Sequence, residues 1–100
     1  MIGLIQVTIP AVGSQPVRVS ATRILACHII IEADDGNANA AFVGDSNMAA
    51  NGSEGIRLNN SATVPGNHEL GPFQANYMDL SEVYIVGTAD EKVNVLYVQH

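Results

Sequence analysis

The string Gly44-Asp45-Ser46 offers a hydroxyl that could attack an ester, because one hydrolase motif opens on the same three residues. A serine becomes a nucleophile only when a neighbouring base takes its proton, and a carboxylate usually orients that base. Three residues before His68 stands Pro65, and three before His100 stands Tyr97, so neither imidazole has the carboxylate such an arrangement needs. The simpler reading is a strand ending in Gly44 and turning on Asp45 and Ser46. Cys27 and His28 could suggest a thiolate–imidazole pair, but neighbours on a strand point to opposite faces. As the single cysteine, Cys27 forms no intrachain disulfide, and its apolar surroundings read as those of a buried free thiol.

Oxygen ligands gather in Asp34-Asp35-Gly36-Asn37-Ala38-Asn39, with Asp45 expected nearby across a hairpin. Calcium takes about six to eight oxygens. Here the glycine falls too early for a helix–loop–helix calcium loop and no glutamate closes the ring. Asp34, Asp35 and Asp45 are therefore weak metal candidates beside a plain Asp/Asn/Gly turn. His28, His68 and His100 are too scattered for a metal motif, and no glycine-rich phosphate loop is present. Neither catalytic residues nor a cofactor are expected; the chain reads as no enzyme.

The elements around these residues alternate strand and turn. Leu4 to Ile9 and Val17 to Ser20 alternate as half-buried strands should. Ile24 to Ala33 is the clearest strand, and its β-branched Ile29, Ile30 and Ile31 fit a sheet covered on both faces. It stops at the Asp34–Asn37 turn, and Ala40 to Gly44 is expected to return beside it as a hairpin. Asp45 to Asn67 reads as a long interface loop, interrupted by Ile56-Arg57-Leu58. His68 to Leu70 is a brief strand, and Val83 to Gly87 with Val93 to Val98 predicts a C-terminal hairpin. No segment carries a helical apolar stripe. The expected fold is all-β, a small β-sandwich or jelly-roll-like barrel of about seven to eight antiparallel strands.

One hundred residues make one domain, 1–100, in which 1–16 is either an arm or exchanged strand or an ordinary first strand. Charged residues are 14% of the chain against about 25% in an average domain. That scarcity fits a surface that spends its life covered, since interfaces are depleted in Lys and Glu, and equally a plain domain with uncharged turns. The net charge is −6, and Arg18, Arg23, Arg57 and Lys92 are the only basic side chains. Nucleic acid is thus an unsuitable partner. Before Glu32 there is no acidic residue, so the N-terminal part could meet an acidic face of a neighbouring copy. No apolar run reaches the roughly 20 residues of a membrane span, and the start lacks the basic and long apolar segments of a secretory signal.

Ile30-Ile31-Glu32-Ala33-Asp34-Asp35-Gly36-Asn37, Phe42-Val43-Gly44-Asp45-Ser46-Asn47-Met48 and Gly55-Ile56-Arg57-Leu58 follow one another at short range. With Pro65-Gly66, Leu80 to Gly87 and Val93 to Val98, this pattern resembles small structural proteins of tailed bacteriophages, over about three quarters of the chain, from Thr22 to the end. The resemblance implies a β-sandwich or jelly-roll piece of a virion, made in the host cytoplasm. Its expected role is head decoration (cement), bound to the major capsid protein or another virion protein. The alternative is a fibre- or tail-associated module that recognises a host surface. A homo-oligomer is expected, with a trimer favoured, and neither nucleic acid nor membrane as partner. The residues expected at its interfaces are Ile2, Leu4, Arg18, Arg23, Asn47, Met48, Asn51, Ile56, Arg57 and Leu58.

Overall fold

The computed structural model of the chain describes residues 1–10, 15–34, 36–48, 55–59, 67–75 and 78–99. Within them lie β1 (Ile2–Thr8), β2 (Val17–Arg18), β3 (Leu25–Ala26), β4 (His28–Ala33), β5 (Ala41–Gly44), β6 (Ile56–Leu58), β7 (Asn67–Leu70), β8 (Met78–Asp79), β9 (Tyr84–Val86) and β10 (Lys92–Val98), with one 3-10 turn at Leu80–Glu82. Sheet A has the order β1-β10-β4-β7, sheet B the order β2-β9-β5-β6, and β3 pairs with β8. All pairings are antiparallel. With the short β3–β8 pair set aside, only the step from β5 to β6 stays within a sheet; every other step crosses to the opposite one. This is jelly-roll connectivity, two four-stranded sheets wound together, and the all-β sandwich expected from the strand pattern.

Alternation decides which side chains go inside. Along sheet A, Val7, Val93, Val95, Ile29 and Ile31 point inward and are buried. Val43 and Ile85, directly paired in sheet B, and Ala41 with Leu58 join the same core. Gly3 gives up its side chain to the ring of Tyr97, which lies where a Cβ would stand, 2.3 Å from its Cζ.

The two expected hairpins are not formed. β4 lies in sheet A and β5 in sheet B, as do β10 and β9 respectively, so the connections 34–40 and 87–91 are arches between sheets. A polar turn sequence suits either geometry; what selects the arch is how its backbone groups are paired. Asn37, buried, donates from Nδ2 to the Lys92 carbonyl at 2.7 Å, and its Oδ1 accepts from the Lys92 amide at 2.9 Å. Its side-chain amide thus acts as a strand partner for the first residue of β10. Glu91 completes the join by accepting from the amides of Ala38 at 2.5 Å and Asn39 at 3.3 Å.

The long strand expected over Ile24 to Ala33 is divided at Cys27 into β3 and β4. The Cys27 amide donates to Val98 O at 2.9 Å, and its carbonyl accepts from Phe73 N at 2.7 Å. Gly71 makes that approach possible: its φ is +97°, and a Cβ there would stand 2.6 Å from Cys27 O. Ile56–Leu58, expected as an interruption in a loop, is strand β6 against β5. β1 pairs along its whole length with β10 of the same chain.

Asn37→Ala leaves the Lys92 amide without its acceptor at the join of both arches, while the Lys92 carbonyl keeps only the bond from the Asp34 amide at 3.0 Å. It is expected to destabilise the protein by about 1–3 kcal/mol in urea unfolding; a change under about 0.5 kcal/mol would show that the arch does not depend on this side chain.

Candidate functional site

The residues with chemical potential serve the fold. Asp45 Oδ1 accepts from the Asn47 amide at 2.9 Å and its carbonyl from the Met48 amide at 3.1 Å, so Gly44-Asp45-Ser46 is a turn closed by its aspartate, with Ser46 exposed. Cys27 is a buried free thiol whose Sγ donates to Val98 O at 3.3 Å. His28 points to the opposite face, with Nε2 3.3 Å from Glu69 Oε2, close but not aligned as a hydrogen bond.

Asp34 and Asp45 do not come together. Asp34 follows β4 at one end of the sandwich, whereas β5 carries Asp45 toward the other end, roughly 13 Å of strand away. Asp35 lies outside the described residues. Asp34 Oδ1 accepts from Asn94 Nδ2 at 3.1 Å and Oδ2 from the Gly36 amide at 3.1 Å. Among the described residues no group of three His, Cys, Asp or Glu side chains could hold a metal ion.

The expected interface residues fall into separate places. Ile2 and Leu4 stand on β1, each 70% exposed. Arg18 is exposed on β2, at one edge of sheet B, and Ile56 and Arg57 are exposed on β6, at the other edge. Exposed Arg23 lies 3.7 Å from Asp79, and Asn47 is exposed in its turn. Met48 and Leu58 are corrections: at 4% and 0% exposure they belong to the interior and offer no side chain to a partner. Met48 packs under Gly44, where a Cβ would meet its sulfur at 3.1 Å, and Leu58 pairs with Ala41 on the inner face of sheet B. Asn51 lies outside the described residues.

A single surface does gather what those residues only hinted at. On the outer face of sheet A, register places Ile2, Val98 and His28 in one row, and Leu4, Leu96, Ile30 and Glu69 in the next. Gln6, Asn94 and Glu32 form the third row, with Gln6 Nε2 donating to Asn94 Oδ1 at 2.9 Å. Leu4, Ile30, Glu32, Asn94 and Leu96 line a shallow depression of about 260 Å³. One end of this face is therefore apolar on β1 and β10, bordered by His28 and Glu69 on the β4–β7 side, and the other is a hydrogen-bonded polar row. Leu96, 38% exposed, and half-buried Ile30 and Val98 were not singled out from the sequence. The signal was there: in an alternating strand, apolar residues at both parities mean that both faces want cover.

Comparison of the chain with protein-family models, curated proteins and solved structures gives no match.

Two carboxylates are held below the usual aspartate range. For Asp34 the hydrogen bond from Asn94 is the main cause, followed by the Gly36 amide. For Asp79 it is the Ser81 hydroxyl, followed by the Ser81 amide. A depressed carboxylate pKa contributes stability above the unfolded-state value near 4, and that contribution is lost as pH falls through the lower folded value. Asn94→Ala is accordingly expected to move the Asp34 titration midpoint upward in an NMR pH series, while Asp79 stays where it was. An unmoved Asp34 would mean that Asn94 does not set it.

Proposed function

We propose that this protein is a non-enzymatic structural component of a phage virion, a decoration protein that binds the head shell through the outer face of sheet A. The observation that carries the reading is that face itself. Ile2, Leu4 and Leu96 are three of the five large hydrophobics exposed among the described residues, and all sit at its apolar end, whereas Met1 lies with Tyr97 and Gln99 on the other side of the sheet and Ile56 on sheet B. A contiguous apolar patch on a small protein marks a surface that another molecule covers. Around it the chain carries few charges, so covering it desolvates little that is costly to desolvate. The jelly roll recurs in capsid proteins, but also in lectins and cupins, so the fold adds only a little. The sequence resemblance to small virion proteins adds the rest.

Quantitative mass spectrometry of purified DNA-filled particles is expected to find the chain in stoichiometric ratio to the major shell protein. A few copies per particle would move the role to a fibre or tail, and absence would overturn it. Leu96→Asp, which changes an exposed position and leaves the core alone, is expected to weaken binding to stripped heads at least about tenfold. Undiminished binding would place the contact elsewhere.

A further inference from the structure

The four sheet edges of this sandwich are not alike. Edges with unpaired amides and carbonyls invite other strands, and proteins blunt them by shortness, charge, proline or bulges. β2 has two residues, one of them Arg18, and follows Pro16. β6 has three residues with Arg57 at the centre, and β7 has four with Glu69 exposed. β1 has seven residues, Ile2-Gly3-Leu4-Ile5-Gln6-Val7-Thr8, with no charge and no proline, in unbroken register with β10.

Which of its backbone groups are free follows from the ladder. Met1 and Gln99 exchange both backbone bonds, and at the other end Ile9 N donates to Glu91 O. In an antiparallel pair such positions alternate, so the odd residues of β1 bond to β10. The amides and carbonyls of Ile2, Leu4, Gln6 and Thr8 therefore point outward from the edge, and the side chains of the same residues are all exposed.

We propose that β1 pairs antiparallel with β1 of a second copy, joining two A sheets into one continuous sheet about a two-fold axis. A strand paired with itself is self-complementary: centred on Ile5, the pairing sets Leu4 beside Gln6 and Ile2 beside Thr8 of the other copy, and uses the whole edge. Charge permits the same occupant: although each copy carries −6, β1 has no charged side chain to oppose its like across the pairing. The pairing leaves the outer face of sheet A open, so it stands whether or not that face binds a virion shell. Its two-fold symmetry differs from the three-fold one expected from the resemblance.

The test is sedimentation of the full chain over a concentration series, with hydrogen exchange read residue by residue. The expected mass is twice that of the 10.5 kDa chain, with the Leu4 and Gln6 amides exchanging on the order of a hundredfold more slowly than exposed edge amides. Leu4→Lys is expected to return the single-chain mass and release those two amides, while the Ile5 and Val7 amides, bonded within the chain, stay protected. If Leu4→Lys does not fold, exchange in the unmodified protein decides alone. A monomer at about 100 µM, well above the range of a micromolar dimer, would overturn the proposal. So would an oligomer of any size in which the Leu4 and Gln6 amides exchange freely.

Discussion

β10 is bonded on both sides, to β1 and to β4, and the sandwich depends on its register. Val93 and Val95 reach the core from it and are fully buried, while Asn94 and Leu96 stand on the outer face. A slip of one residue would turn the valines outward and bring Asn94 inside without a partner. The Asn37 side chain guards against that slip at the start of the strand by bonding both backbone groups of Lys92. At the other end Cys27 and Met1 bond Val98 and Gln99. The register of the central strand is thus fixed by groups at its ends as much as by the apolar alternation along it.

That division explains what could be read from the sequence. Strand existence was legible in Val17 to Ser20, Ile24 to Ala33 and Val93 to Val98, because period-two burial leaves a direct mark on residue type. Connectivity was not. Asp34-Asp35-Gly36-Asn37 and Thr88 to Lys92 have the composition of hairpin turns, with Asp90 even adopting a left-handed φ of 69°. Nothing in the turn itself distinguishes a hairpin from an arch, because the choice rests on Asn37 meeting Lys92, and Glu91 meeting Ala38 and Asn39, each across more than fifty residues of chain. Met48 and Leu58 were misplaced for a related reason. They sit in an Asn/Gly/Ser-rich stretch whose average polarity suggests exposure, and each is an apolar anchor that holds the stretch against sheet B.

The candidate surface was half legible. Ile2 and Leu4 drew attention because apolar residues near the start of a chain are costly to leave exposed. The run Ile29-Ile30-Ile31 suggested a sheet covered on both faces, and sheet B covers only one. Ile29 and Ile31 are fully buried beneath it, whereas Ile30 remains half-exposed on the other side, beside Leu96 and Leu4. The apolar residues that sheet B does not cover, Ile2, Leu4, Ile30 and Leu96, thus gather at one end of one face. Scattered exposed hydrophobics are ordinary, and Met1 and Ile56 are of that kind, but Ile2, Leu4, Ile30 and Leu96 are neighbours on β1, β4 and β10.

Edge and face differ in what they can recognise. The outer face of sheet A offers apolar contact, which is strong for its area but indifferent to direction. The edge of β1 offers backbone donors and acceptors in fixed alternation, which demand a strand in register but contribute little net free energy per bond. Together on one strand they are complementary, since Ile2 and Leu4 contribute side chains to the face and backbone groups to the edge. The ten acidic residues, all elsewhere in the chain, then act as a restraint on promiscuity. An exposed apolar patch and an unguarded edge would otherwise invite association of any kind. Like-charge repulsion between copies weakens approaches that bring acidic side chains together, and β1, which carries none, adds no such repulsion of its own.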